Sequence, residues 1–155
     1  MVDIGRGDLL AADVEGLVNA VNTVGVMGKG IALQFKHAHP DNYAAYRAAC
    51  AAGKVQLGRM HVFDSGCAGP RRYVINFPTK GHWRARSRLA DVRAGLADLV
   101  EVVRQRRIGS LAVPALGCGN GGLDWHDVRP MIGDAFAELP EVRVLLFPPT
   151  GVPGR

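Results

Sequence analysis

Two glycine clusters are the parts of this chain whose residue types and spacing most directly indicate chemistry. They occupy residues 25–30 (GVMGKG) and 117–122 (GCGNGG), and each follows a predicted strand and precedes a predicted helix. Glycine allows turns with positive φ, which let backbone N–H groups at a helix N-terminus approach an anion. Two such loops could hold a diphosphate between them. The alternative is that both are ordinary tight turns.

Two familiar nucleotide-binding motifs do not account for these loops. Gly30 follows Lys29 where a P-loop needs Ser or Thr, and Thr23 stands where it needs glycine, which excludes Walker-type phosphoryl transfer. The second cluster satisfies the dinucleotide fingerprint, but only about thirty residues follow it, too few for the rest of a Rossmann half.

A lysine and a run of aromatic and cationic residues follow the third predicted strand. Lys80 stands where α/β folds present ligand-contacting groups, although a lone loop lysine is ordinarily a solvated charge. The residues after it combine a stacking surface with alternating cations, as single-stranded nucleic-acid sites do: His82, Trp83, Arg84, Arg86 and Arg88. A basic helix start would explain the arginines but not Trp83.

Three polar residues near predicted strand ends add candidate ligand contacts. The Asp8 carboxylate could accept hydrogen bonds from an exocyclic amine such as that of adenine. Asn19 and Asn22 flank the end of a buried strand, and an amide can both donate to and accept from sugar hydroxyls. The alternative is an Asx cap at Asp8 and a turn at Asn22.

The elements that must position these residues read as one α/β domain. Short apolar runs predict strands at 17–21, 60–63, 73–77, 110–115 and 142–147. Apolar residues at three-and-four spacing and helix stop signals predict helices at 30–36, 41–52, 87–107 and 124–139, with Ser87 as the N-cap of the third.

Composition and charge narrow the class of protein. With 155 residues, 48% apolar and 21% charged, the chain is expected to form one compact globular domain. Nineteen Lys and Arg against fourteen Asp and Glu give a net charge of +5. The segment 71–88 alone carries six positive residues and no acidic one, so the rest of the chain sums to −1.

Several classes of site are not expected. Three cysteines without a CxxC pair argue against a disulfide framework and fit a reducing compartment. His37 and His39 have no second Cys or His cluster at ligand spacing, so no metal site is predicted. No signal-peptide core and no apolar run of about 20 residues is present, which predicts a cytoplasmic protein without membrane contact.

Taken together, the motifs resemble those of the macrodomain family, and more closely its DarG-type antitoxin branch. The matching segments, in order, are GDLL at 7–10, VNAVN at 18–22, GKGIA at 28–32, NFPTK at 76–80 and ALGCGNGGLDW at 115–125. The resemblance implies a three-layer α/β/α sandwich around a mixed sheet. It also implies that residues 1–155 are a single macrodomain, the catalytic part of a longer antitoxin whose toxin contact lies in a further domain.

The resemblance implies an ADP-ribose cleft. Asp8 would bind the adenine amine, Asn22 the distal ribose, and the two glycine loops the diphosphate. The full set of ADP-ribose contacts so implied is Asp8, Leu9, Asn22, Gly28, Lys29, Gly30, Ile31, Thr79, Leu116, Gly117, Cys118, Gly119, Asn120 and Gly121.

The resemblance also implies an activity: removal of ADP-ribose from thymine bases of single-stranded DNA, reversing a DarT-type toxin and needing no cofactor. Lys80 would be catalytic. The residue pattern itself adds that His82, Trp83 and the arginines at 84, 86 and 88 would contact DNA, with the 71–88 segment bracketing Lys80. Gly121 stands where the related animal glycohydrolase has an aspartate, so a lysine-plus-aspartate mechanism does not transfer. Lys80 would act either as an ammonium at the departing base or as a nucleophile.

The rival functions are a non-catalytic ADP-ribose reader and a hydrolase of protein-linked or ester-linked ADP-ribose.

Overall fold

A mixed six-stranded sheet forms the centre of the structure, a computed structural model that describes residues 1–150. The strands are β1 (Val2–Ile4), β2 (Gly16–Asn22), β3 (His61–Asp64), β4 (Tyr73–Lys80), β5 (Ser110–Pro114) and β6 (Arg143–Phe147). Their order is β1-β6-β5-β2-β4-β3, and every neighbouring pair is parallel except the antiparallel pair of β3 and β4.

Four helices cover the two faces of this sheet. They are α1 (Gly30–Ala38), α2 (Pro40–Ala51), α3 (Leu89–Arg106) and α4 (Trp125–Phe136). Successive strand residues point to opposite faces: Val18 packs in one cluster with α3 and α4, whereas Leu17 packs in another with Phe35 of α1. The predicted α/β class and three-layer sandwich are confirmed.

Several boundaries differ from the sequence-based expectation; α4, for example, ends at Phe136 and not at residue 139. The predicted strand ending at residue 77 continues to Lys80, so Lys80 is the last residue of β4 and not a loop residue. Ser87 is not the N-cap of α3, which begins at Leu89 after Arg88. Instead, Ser87 is buried and its backbone N–H donates to the carbonyl of Gly121 at 3.0 Å, which draws it beneath the second glycine loop.

The starts of α2 and α4 agree with the expectation to within one residue. Pro40 occupies the first turn of α2, where its missing N–H costs nothing. Asp124 caps α4, because its carboxylate accepts from the backbone N–H of His126 at 2.9 Å. None of the helices within residues 1–150 is long and apolar enough to cross a membrane.

Candidate functional site

A cleft of about 810 Å³ lies where the parallel strands β2, β4, β5 and β6 end. Its volume is typical of small-molecule sites, and this edge of the sheet is where open α/β folds bind ligands. The residues it shares with the predicted site are Asn22, Gly28, Lys29, Gly30, Ile31, Thr79, Lys80, Trp83, Gly117, Cys118, Gly119, Asn120 and Gly121.

The first glycine loop leads into the N-terminus of α1. Gly30 has φ +56°, and Lys29 gives the helix no side-chain cap, so its first N–H groups are left for an anion. A Cβ built on Gly30 would lie 3.8 Å from the side-chain nitrogen of Asn120. The two predicted loops therefore approach each other across the cleft.

The second glycine loop is held by its own backbone. The N–H of Leu123 donates to the carbonyl of Gly117 at 2.9 Å, and Gly117 has φ +73°. Gly121 is buried, and a Cβ there would collide with Ser87 Oγ and with the Gly117 carbonyl oxygen. Only glycine fits at position 121, whereas a Cβ on Gly119 would meet open space.

Lys80 brings a cation to the cleft. Its Nζ donates to the backbone carbonyl of Trp83 at 3.0 Å. Burial, and then the charge of Lys29, lower the pKa of the Lys80 ammonium below its usual value. Lys80 stands in register with Asn22 of β2, so its backbone lies beside the end of the strand that leads into the first glycine loop.

The residues after Lys80 form an exposed aromatic and cationic surface. The Trp83 side chain is 41% exposed, and its ring centroid lies 4.8 Å from that of His82 and 4.5 Å from the guanidinium carbon of Arg84. Thr23 Oγ1 donates to the carbonyl of Gly81 at 2.8 Å and so ties this segment to the first glycine loop. Arg84, like Arg86 and Arg88, is exposed and outside the cleft lining.

The expectation that the whole 71–88 segment brackets Lys80 is wrong. Arg72 pairs with Asp64 at 2.9 Å, and Arg71 donates to the carbonyl of Ala12 at 2.9 Å. Lys80 lies eight positions along the extended strand from Arg72, a span of roughly 26 Å. The cationic surface near Lys80 is therefore residues 80–88, with four positive side chains and no acidic one.

Asp8 and Leu9 do not line the cleft, and neither does Leu116, which is fully buried. The Asp8 carboxylate caps a short 3₁₀ helix, Leu9–Ala11, by accepting from the N–H of Leu10 at 3.0 Å. Leu9 belongs to a cluster against which Ile31 and Phe147 pack, and both of these line the cleft. Asp8 therefore lies near one end of the cleft, with its carboxylate exposed.

The side chain of Asn22 closes the loop that follows it. Its Oδ1 accepts from the N–H groups of Val24 (3.1 Å) and Val26 (3.3 Å), and its Nδ2 donates to the Val26 carbonyl (2.8 Å). Tyr46 Oη lies 2.8 Å from the same Oδ1. The turn at Asn22, one of the two alternatives for this residue, is therefore present.

Phe147 is a cleft residue that the sequence reasoning missed. It ends β6, and a Cβ built on Gly5 would lie 2.5 Å from its ring, so glycine at position 5 makes room for it. The sequence contained a signal for this residue. Phe147 ends a predicted strand, and the carboxyl ends of parallel strands share the edge of the sheet where ligands bind. The remaining residues that line the cleft were also not predicted from the sequence: Ala20, Val21, Val26, Ala32, Gln34, Pro114, Ala115, Pro148, Pro149 and Thr150.

Cys118 is the thiol of the second loop. Burial, and then the charges of Asp124 and Asp127, raise its pKa to about 11. The thiol therefore stays protonated near neutral pH and is not a nucleophile there.

The chain is similar to known proteins in both sequence and fold. A family model for the Macro domain matches residues 18–132. A Mycobacterium tuberculosis protein named DNA ADP-ribosyl glycohydrolase is 55% identical over 151 residues, which cover 97% of this chain and 43% of that protein. The chain thus spans less than half the length of that relative.

Two solved structures are similar in fold. The macrodomain of Mycobacterium tuberculosis DarG gives a TM-score of 0.95 at 55% identity, covering 97% of this chain and 99% of that one. Thermosipho africanus DarTG in complex with ADP-ribose gives 0.88 at 34% identity, covering 95% of this chain and 41% of that one.

Proposed function

Because the chain belongs to the macrodomain family, we propose that it is a hydrolase domain that releases ADP-ribose from thymine bases of single-stranded DNA. One observation carries the proposal: Lys80 lines the same cleft as both glycine loops and Trp83. The two glycine loops supply a place for a diphosphate, and Lys80 supplies a cation beside it. Trp83 supplies a surface for a base. The name of the relative from Mycobacterium tuberculosis supports the same activity.

The cleft has room for ADP-ribose in an extended form. We place the diphosphate between residues 28–31 and 117–121, where backbone N–H groups and the start of α1 favour an anion. The adenine end then lies toward Phe147 and Asp8, whose exposed carboxylate can accept from the adenine amine. The distal ribose lies toward Lys80. ADP-ribose in the Thermosipho africanus structure supports this choice of ligand.

In this arrangement Lys80 lies beside the glycosidic bond that is hydrolysed. As the bond between the anomeric carbon and the thymine nitrogen opens, its electron pair stays on the base and positive charge develops on the sugar. The Lys80 ammonium donates its proton to that nitrogen, and water adds to the anomeric carbon and returns a proton to the amine. A lowered pKa favours this step, because the ammonium releases its proton more readily. The products are ADP-ribose and an unmodified base.

The surface at residues 80–88 holds the DNA strand. Trp83 offers a ring on which a neighbouring base can stack, and the arginines at 84, 86 and 88 offer charges for its phosphates. The modified base reaches Lys80 while the rest of the strand stays outside the cleft. The reaction would undo the work of a DarT-type transferase, which we place in contact with a domain outside residues 1–155.

Substrate comparison tests the proposed function. The protein is incubated with an oligonucleotide carrying ADP-ribose on one thymine, and separately with an ADP-ribosylated protein, and released ADP-ribose is measured by chromatography. We expect release from the oligonucleotide. Release from neither substrate would make the domain a reader, and release from the protein alone would make it a protein deconjugase; either result overturns the proposal.

A further inference from the structure

All the acceptor capacity of Asn22 is used inside the protein. A carbonyl oxygen has two lone pairs, and Asn22 Oδ1 already has three donors around it, the N–H groups of Val24 and Val26 and the hydroxyl of Tyr46. The side chain is only 4% exposed. Oδ1 therefore cannot accept a hydrogen bond from a sugar hydroxyl without losing one that closes its own loop. Nδ2 keeps a second N–H that can donate to such a hydroxyl, because its one hydrogen bond among residues 1–150 goes to the Val26 carbonyl.

Tyr46 reaches this loop from behind. It lies on α2, is fully buried, and places Oη 2.8 Å from both the backbone oxygen and Oδ1 of Asn22. Burial raises the pKa of the Tyr46 hydroxyl well above its ordinary range, so near neutral pH it keeps the proton that it donates. The hydroxyl thus holds the end of β2 and the start of the loop together.

The far end of the loop is held by packing. Met27 is 1% exposed and packs in one cluster with Val21, Tyr46 and Val55. Gly28, the next residue, is the first residue of the segment that we assign to the diphosphate. The loop is therefore held at Asn22 and at Met27 by contacts within the protein. A loop ordered in advance does not have to be ordered at the cost of binding free energy.

We propose that Tyr46 is a positioning residue, which acts through Asn22 to hold the first glycine loop in its ligand-binding form. Tyr46 is fully buried and does not line the cleft, so it cannot touch the reacting bond. Loss of the Tyr46 hydroxyl should loosen the loop, weaken diphosphate binding and leave the chemical step unchanged. The loop held in this way would bind a ligand that carries a diphosphate.

Tyr46→Phe tests this with little disturbance, because the ring and its packing stay. Tyr43→Phe is the matched control: Tyr43 lies on the same helix, and its hydroxyl makes no hydrogen bond among residues 1–150. Amide hydrogen exchange of Val24 and Val26 reports on the loop, and calorimetry gives the Kd of ADP-ribose. We expect Tyr46→Phe to speed that exchange and raise that Kd by roughly 3- to 10-fold, and Tyr43→Phe to change neither.

Kinetics provide the reading that a general loss of structure would not give. At saturating modified oligonucleotide, Tyr46→Phe should keep kcat within about twofold while KM rises with the Kd of ADP-ribose. Unchanged exchange, an unchanged Kd, or a kcat that falls as far as kcat/KM would each overturn the positioning role. The kinetic arm rests on the proposed function, whereas exchange and ADP-ribose binding do not. A chain that binds ADP-ribose without releasing it from DNA would overturn only the proposed function.

Discussion

Asn22 and Lys80 are register partners at the carboxyl ends of the neighbouring parallel strands β2 and β4. Asn22 leads into the first glycine loop at residues 25–30, and the aromatic and cationic surface starts at Lys80. Thr23 and Gly81, the residues that follow, are joined by a 2.8 Å hydrogen bond. The sheet therefore sets the spacing between the proposed diphosphate site and the proposed catalytic amine.

The pH dependence of the reaction should respond to Lys29. Its charge contributes to the lowered pKa of Lys80, after burial. Since the proposed step uses the ammonium, kcat should fall as pH rises through that pKa. Lys29→Gln removes a repelling cation, so the pKa rises and the alkaline fall moves to higher pH. Measured kcat profiles should show this shift for Lys29→Gln and not for Lys36→Gln, which changes a lysine farther along α1; identical profiles for all three proteins would contradict the assignment.

Gly121→Ala should disable the second glycine loop. The new Cβ would meet Ser87 Oγ and the Gly117 carbonyl, so the loop must move, and we expect a loss of on the order of 1–3 kcal/mol in the free energy of unfolding. ADP-ribose binding should fall with it. Gly119→Ala is the control, because its Cβ meets nothing within 4 Å, and its stability should stay within about 0.5 kcal/mol of wild type. Equal effects of the two substitutions on denaturation and calorimetry would refute the tight packing at Gly121.

The arginines at 84, 86 and 88 should set the salt dependence of DNA binding. Each phosphate contact on a single strand contributes about 0.7 to the slope of log Kd against log salt concentration. Changing all three to glutamine should therefore lower that slope by about 2 for a labelled oligonucleotide and spare the binding of free ADP-ribose.

The matched control for this charge change lies at the opposite end of β4. Arg71, Arg72 and Arg106 gather there, since Arg72 and Arg106 both stack on Tyr73. Their replacement by glutamine removes the same charge and should leave the slope unchanged. A slope that responds equally to both triple variants would mean that overall charge, and not the surface beside Lys80, holds the strand.

Borohydride separates the two roles open to Lys80. A nucleophilic lysine would form a covalent Schiff-base-type adduct with the sugar, which borohydride reduces and traps. The proton-donor role predicts no adduct when the wild-type protein turns over modified oligonucleotide with the reductant present. Intact mass spectrometry would detect one, and an ADP-ribose-derived mass on Lys80 would contradict the proton-donor role.

Local sequence patterns predicted the elements that carry a strong local signal. Five strands and four helices have apolar runs or helical spacing of their own, and so have approximate bounds. β1 has neither, since Val2–Ile4 is three residues long with an exposed aspartate at its centre. It is a strand because Val2, Asp3 and Ile4 pair with β6, and this pairing joins residues about 140 positions apart.

Contacts between residues far apart in the sequence also explain which features of the site could not be predicted. A charge count over residues 71–88 carries no information about distance within that segment. Because β4 is extended, Arg72 lies at the opposite end of the sheet from Lys80. The polar Ser87 resembles an N-cap, but long-range packing under Gly121 decides its position. The contact between Asn22 and Tyr46 spans 24 positions, so neighbouring residues give no sign of it.

The central claim is that Lys80 cleaves the bond between ADP-ribose and thymine, and single-turnover release from a modified single-stranded oligonucleotide tests it most directly. We expect the wild-type protein to release ADP-ribose, and Lys80→Ala to do so at least about 100-fold more slowly, as for the loss of a general acid. The Kd of Lys80→Ala for ADP-ribose should stay within a few-fold of the wild-type value. Equal rates of release for the two proteins would contradict the claim.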